Sequence, residues 1–431
     1  MPSFDTNRVQ AGYDPKEHHQ SVNLPIYATA SFEYKSMTHA EKIRYMEAPG
    51  MTYSRLGNPT VLALEQRLGA LDGARGQLAV ATGMAAISYT ALGLTGGCGN
   101  IVISPALYGG TVEGFSHFFP AFGATGKRVR DRLDPASYEA AIDGETKAIW
   151  VETITNPNAE LIDIEAVAEI AHQHGIPLVV DNTIATPYLF NPFEHGADII
   201  VYSATKGIGG HGIALGGAVL EKGGFRYDRA KYPQFYAPLT KFRRRDQSPR
   251  SIMQVAPATP LTAYLRKFFL EYLGAALGPF EAYMIFQGLS TISERLARQS
   301  DTAEKLAAFL ETVPGVRWVS YPTAKGSPFA ALHQRYFPRG AGGVLSFGFG
   351  GTRAQMGRFF DALQIFSYQV NIGDVHSLIV NPEDTTHAEL TEDQLAEAGI
   401  RPGTVRISVG LEDPDDLIAD LKQALEAAMK T

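Results

Sequence analysis

The chain has 431 residues, 45% of them hydrophobic, and carries 38 Lys and Arg against 45 Asp and Glu for a formal net charge of -7. That length supports two packed domains with sizeable cores, and an acidic balance with no basic face argues against a nucleic-acid partner. No window approaches the roughly 18 uninterrupted apolar residues of a membrane span, the N-terminus lacks the charged-then-apolar pattern of a secretory signal, and the single cysteine, Cys98, has no internal disulfide partner, so a soluble cytoplasmic protein is expected.

Residues 1–62 lack periodicity and are rich in Tyr, Asn and Pro, which reads as an N-terminal arm used for oligomer contact or left as a tail. Leu62, Leu64, Leu68 and Leu71 then trace the apolar face of a helix. Residues 77–81 are a short strand running into Thr82-Gly83-Met84-Ala85-Ala86, residues 100–104 and 147–152 are further strands, and residues 164–174 are a helix between strands. Residues 176–183 form a near-continuous apolar run ending at Asp181, and residues 197–206 another, ending in Ser203-Ala204-Thr205-Lys206. Such runs suit strands buried on both faces, and their alternation with helices predicts an α/β fold, a mainly parallel sheet wrapped by helices over residues 63–260. Residues 225–260, rich in Tyr, Pro and Arg, read as an irregular connection in which Arg243-Arg244-Arg245 is a solvated loop. Helical spacing of Leu265, Phe268, Phe269 and Tyr272 predicts one long helix over residues 261–299. It joins the first domain to a smaller α+β domain, residues 261–431, with strands at 343–348 and 404–409.

Ligands of open α/β sheets gather at the carboxyl ends of the strands. Gly83, Tyr108, Asn156, Asp181 and Lys206 each fall just past a separate strand. A strand-end lysine is most often a solvated terminus, and a strand-end aspartate a helix cap. Together, on consecutive strands, they suit an aldehyde cofactor held as a Schiff base by Lys206, with Asp181 keeping a pyridinium nitrogen protonated. The glycine turn at Gly83 opens a helix whose free N–H groups favour a phosphate, to which Ser203 and Thr205 add hydroxyls. Tyr108, followed by Gly109 and Gly110, is either a structural tyrosine or a ring free to lie against something planar. Arg406 lies in an apolar strand, where its fork serves either a buried structural pair or an amino-acid carboxylate.

With these residues in view, the whole chain resembles the Cys/Met-metabolism family of pyridoxal-phosphate (PLP) enzymes, the group of cystathionine γ-synthase, methionine γ-lyase and O-acetylhomoserine sulfhydrylase. The resemblance rests on Tyr53-Ser54-Arg55-Leu56-Gly57-Asn58-Pro59-Thr60, Thr82-Gly83-Met84-Ala85-Ala86, Asp181-Asn182-Thr183, Ser203-Ala204-Thr205-Lys206 with Gly209-Gly210-His211-Gly212, and residues 405–413. The sulfhydrylase branch looks closest, on residues 23–27, 192–198, 273–280 and Asn371-Ile372-Gly373-Asp374, where Asn371 stands in place of the serine typical of γ-synthases and γ-lyases. The resemblance implies a fold type I PLP-dependent transferase with a seven-stranded sheet. It implies catalytic roles for Lys206 and Tyr108. Asp181, Gly83, Met84, Tyr108, Ser203 and Thr205 hold the cofactor, Tyr53 and Arg55 reach in from a neighbouring subunit of a homotetramer built from active dimers, and Arg406, Asn156, Asn371 and Tyr53 bind the substrate. No metal is expected.

The expected reaction is γ-replacement on an O-acylhomoserine by sulfide or a thiol. The alternatives are γ-elimination, a γ-substituting enzyme of specialised metabolism and, from another class, a binding protein that has lost catalysis. Two departures from the family pattern, Gly207 in place of a bulky aromatic and residues 225–260, lie near or lead to the substrate entrance in the family, and the small residue beside Lys206 implies a roomier pocket.

Overall fold

Neighbouring residues of the buried strands sort between two cores. Ile149, Val151, Leu178, Val180, Ile200 and Tyr202 enter one, while Ala148, Trp150, Val179, Ile199 and Val201 enter the other, as the two-residue period of a strand requires. In the computed structural model, which describes residues 2–429, these residues belong to a seven-stranded sheet. Its strands are β1 (Gly76–Val80), β2 (Asn100–Ile103), β3 (Thr125–Arg128), β4 (Thr146–Glu152), β5 (Leu178–Asp181), β6 (Ile199–Tyr202) and β7 (Gly217–Glu221), in the order β1-β7-β6-β5-β4-β2-β3. The pairs β2–β3, β2–β4, β4–β5 and β5–β6 are parallel, and β7 runs antiparallel between β1 and β6. The sheet is therefore mainly parallel and covered on both faces, as expected, with helix Gly83–Thr95 on one side and helices Pro59–Asp72 and Ile164–Gln173 on the other.

A second sheet of β8 (Val316–Ser320), β9 (Val344–Phe349), β10 (Ser367–Tyr368), β11 (Leu378–Val380) and β12 (Thr404–Ser408) has the order β10-β11-β12-β9-β8. All its pairs but β10–β11 are antiparallel. Phe347, Ile407, Leu306, Phe359 and Leu421 join its strands to helices Ile292–Leu310, Arg353–Ala362 and Pro414–Met429 in a third core.

The single helix expected over residues 261–299 is three pieces. Helix Pro260–Tyr264 widens into a π-helical stretch, Leu265–Leu273, and the chain then breaks before helices Pro279–Leu289 and Ile292–Leu310. The break has a local cause: Gly274 and Ala275 adopt φ of 86° and 53°, and Pro279, which has no N–H to give a preceding turn, starts a new helix at its first position. The arm carries short helices, Phe4–Gln10 and Met37–Arg44. Arg67 tethers its beginning, donating to the carbonyls of Ala11 and Val9 while its guanidinium lies 3.3 Å from the centre of the Phe286 ring. Among the described residues no helix is long and apolar enough to cross a membrane.

Candidate active site

The parallel strands bring their carboxyl ends to one edge, and β4 and β5 pair with Glu152 directly opposite Asp181. A cavity of about 560 Å³ opens there, between the two sheets. Gly83, Met84, Tyr108, Asn156, Asp181, Ser203, Thr205, Lys206, Asn371 and Arg406 all line it. Ten positions separated by up to 323 residues in sequence are thus brought together, from Gly83 to Arg406. Tyr53 and Arg55 do not line it: Tyr53 is half exposed on the arm, and the Arg55 guanidinium lies 5.0 Å from the centre of its ring.

Lys206 extends from the turn after β6, and its Nζ donates to Asn371 Oδ1 at 2.6 Å. Burial, and then the charge of Arg406, hold the amine's pKa below the usual lysine value, which favours the neutral, nucleophilic form. The turn is clamped from behind by Arg295, which donates to the carbonyls of Gly207 at 2.8 Å, Ile208 at 3.3 Å and Gly288 at 2.7 Å. A Cβ on Gly210 would stand 1.9 Å from that guanidinium, on a backbone with φ of 73°, so the glycine motif after the lysine makes room for the clamp.

Asp181 is buried and pushed up to about 6 by that burial, against which the Thr183 hydrogen bonds act. Glu152 was not singled out in sequence. It is buried beside Asp181, and burial with the neighbouring carboxyl raises its pKa well above the ordinary range. Its two oxygens accept from the backbone of Tyr108 at 2.5 Å and of Asn156 at 3.2 Å, so one strand-end carboxyl fixes two loops of the site. Its position at the tip of the predicted strand 147–152 was the available signal.

At the other end, Thr82 caps helix Gly83–Thr95 by accepting from Ala85 N, which leaves the N–H groups of Gly83 and Met84 at the open helix end. A Cβ on Gly83 would come within 2.6 Å of Ser203 Cβ, so this cradle exists because residue 83 has no side chain. The Ser203 hydroxyl makes no hydrogen bond among the described residues, whereas the Thr205 hydroxyl is engaged twice by Gly216.

Arg406 comes from the centre of the second sheet, paired with Ser346 and Val380. It donates to Asn156 Oδ1 at 2.9 Å and to the Asn371 carbonyl at 3.0 Å. Its Nε is enclosed without a partner, and no carboxylate pairs with it among the described residues. Burial draws its pKa down to about 10, so it remains a cation at neutral pH. A buried charge left in that state calls for an anion, and the planar fork suits a carboxylate. A part-buried amine, a buried carboxyl, an open helix start and a guanidinium with no carboxylate partner among the described residues, all on one cavity of about 560 Å³, together fit PLP and an amino acid.

Two expectations fail. Gly207 does not line this cavity but a small enclosed space beside it that shares Thr183, Ile184, Lys206 and Ile372 with it; a Cβ there would meet Thr186 Cγ2 at 2.9 Å and Leu296 Cδ2 at 4.0 Å, so the lack of a side chain adds no room to the main cavity itself. Residues 225–260 do not line it either. They fill the second core with Tyr227, Tyr232, Phe235 and Phe242, and Arg245 pairs with Glu47 at 2.9 Å and Glu41 at 3.6 Å of the arm. Leu215 and the segment 385–390 line the cavity from irregular stretches without a motif and were not singled out in sequence, and Thr183, the last residue of the Asp181-Asn182-Thr183 motif, lines it without having been assigned a role.

The pattern of the Cys/Met metabolism PLP-dependent enzyme family matches residues 5–426. A sulfhydrylase of Gibberella moniliformis is 40% identical over 99% of this chain and 98% of its own length. The O-acetyl-L-homoserine sulfhydrylase of Corynebacterium glutamicum is 39% identical over 98% of this chain and 97% of its own. A crystal structure from Campylobacter jejuni, described as an O-acetylhomoserine (thiol)-lyase with N′-pyridoxyl-lysine-5′-monophosphate at its position 205, superposes with a TM-score of 0.91, at 36% identity, covering 99% of this chain and 100% of that one.

Proposed function

Because the chain belongs to the family of Cys/Met metabolism PLP-dependent enzymes, we propose that it replaces the γ-substituent of an O-acylhomoserine, with O-acetylhomoserine and sulfide giving homocysteine and acetate. The observation that carries this reading is the buried Arg406, with no carboxylate partner among the described residues, lining the same cavity as the part-buried amine of Lys206. The full-length sulfhydrylase relatives support the choice of reaction within the family.

Bound in this site, PLP supplies an electron sink for the pair left when the substrate loses its α-proton. The chain's residues do the rest. Arg406, with Asn156 and Asn371, holds the substrate carboxylate and so aims the α-hydrogen at Lys206. Lys206 Nζ would hold the cofactor's aldehyde carbon, and as a free amine it would take the α-proton and relay protons at the β-carbon. Asp181 would keep the ring nitrogen protonated, Gly83, Met84, Ser203 and Thr205 would hold the phosphate, and Tyr108 would lie against the ring and serve the departing acyl oxygen. The γ C–O bond breaks with its electron pair leaving on acetate, and sulfide forms the new C–S bond, with no net oxidation.

Tyr53 and Arg55 complete the site of a neighbouring subunit in a homotetramer of active dimers. Their absence from their own chain's cavity and the exposed Leu215 and Val370, each 61% exposed and lining the cavity, support this. The protein acts in the cytoplasm. Incubation with O-acetylhomoserine, with and without sulfide, tests the reaction: homocysteine is the expected main product, and 2-oxobutyrate predominating in the presence of sulfide would assign elimination instead. Mixed oligomers of inactive Arg55→Ala and Lys206→Ala chains should regain activity; no recovery removes Arg55 from the shared site.

A further inference from the structure

The segment that follows β11 folds over the loop carrying Tyr108: a Cβ on Gly109 would touch the Thr386 carbonyl at 2.6 Å and His387 Cδ2 at 3.5 Å. His387 is only 2% exposed and lines the cavity with Arg406 and Asn156. Its Nδ1 lies 2.9 Å from the Thr386 hydroxyl, while Nε2 is enclosed and has no partner. Burial, then the nearby charge of Arg406, hold this imidazole down to about 4. At neutral pH it is therefore uncharged and carries one N–H. The Thr386 hydroxyl can donate to Nδ1 or accept from it; where it donates, the proton resides on Nε2, and this is the tautomer that an anion in the cavity would select.

Two residues that line one cavity, Arg406 and His387, thus each hold an enclosed polar nitrogen, Nε and Nε2, with no partner among the described residues. A buried donor without an acceptor bears its desolvation cost in full. A carboxylate, with two oxygens and about four lone-pair positions, can satisfy both at once. An uncharged donor also adds a contact without placing a second cation beside Arg406 and Lys206, where it would depress the charge of both.

We propose that His387 donates through Nε2 to the α-carboxylate of the substrate beside Arg406, and that the pair selects amino acids with a free carboxylate over their amides. This rests on the amino-acid reading of the site given above. The test uses the PLP-loaded protein titrated with L-2-aminobutyrate, which has no γ-leaving group, and with its amide, read by the change in the cofactor's visible absorption. Loss of one hydrogen bond to a charged group should raise the Kd of the acid roughly 10- to 100-fold in His387→Phe. His387→Asn, whose amide nitrogen corresponds to Nδ1 and not to Nε2, should do the same, while His387→Gln, whose amide nitrogen corresponds to Nε2, retains most of the affinity and the Kd of the amide stays within about twofold throughout. An acid-to-amide ratio unchanged from wild type, or equal weakening of both ligands, in whichever of the Phe and Asn variants folds overturns the role of His387. A wild-type chain that gains no visible band with PLP overturns instead the proposed function on which it rests.

Discussion

Arg406 illustrates what one buried residue can report. Its position in an apolar strand signals an unusual cation, but a structural ion pair and a ligand contact are equally compatible with that position. The structure records no ion pair for it among the described residues: Asn156 and the Asn371 carbonyl supply only neutral acceptors and leave Nε unpaired, which supports the ligand contact. Arg406→Lys keeps a charge but loses the fork, so KM for the amino acid should rise about 10- to 100-fold, from the 1.5 to 3 kcal/mol of a charged hydrogen bond, with the visible absorption of bound PLP retained. An unchanged KM in steady-state kinetics would return Arg406 to a structural role. Lys206 and Asp181 stood out in sequence only through their combination at the ends of consecutive strands, whereas Glu152 required the observation that β4 and β5 pair it with Asp181.

At the scale of elements, the fully buried strands β4, β5 and β6 were readable because burial on both faces demands continuous apolar sequence. Strand β3 was not, since Thr125-Gly126-Lys127-Arg128 at the sheet edge buries none of its residues and carries no apolar pattern. Helix spacing over 261–299 was real but blind to the turn at Gly274 and Ala275, which interrupts the helix without disturbing the apolar period. The loop after β6 gives a test of its own. Gly207→Ala should lower stability by about 1 to 3 kcal/mol through crowding against the buried Thr186, whose own φ is 58°, and should leave KM for O-acetylhomoserine unchanged. Thermal unfolding alongside kinetics checks this; a raised KM with unchanged Tm would put Gly207 back among the pocket residues.

Across the whole molecule, a buried network ties helix Pro59–Asp72 to the strands that carry the site. Tyr202 donates to both oxygens of Asp72, at 3.1 and 3.0 Å, and Asn182, beside Asp181, donates to the Tyr202 oxygen at 3.0 Å. Burial raises the Asp72 carboxyl to about 8. The folded chain then holds a proton that the unfolded chain releases near pH 4, so this group's contribution to stability falls as pH rises from about 4 to about 8, by up to about 1.4 kcal/mol per unit. In Asp72→Asn the fall should flatten, with the Tm curves of variant and wild type converging near pH 4 and separating toward pH 8. Parallel curves would show that Asp72 does not titrate in that window.

The sequence by itself determined the mainly parallel sheet and the chemical residues waiting at its strand ends, because two-sided burial and a glycine helix start are written in local composition. It determined the family as well, through motifs spread over the chain. Only the tertiary structure decided which positions meet the cavity: Gly207 borders a small enclosed space beside it, His387 lines it from a stretch with no motif, and Arg406 crosses from a second sheet to meet Asn156. Those outcomes depend on pairing between segments far apart in the chain, and local composition carries no record of the direction in which a distant neighbour lies.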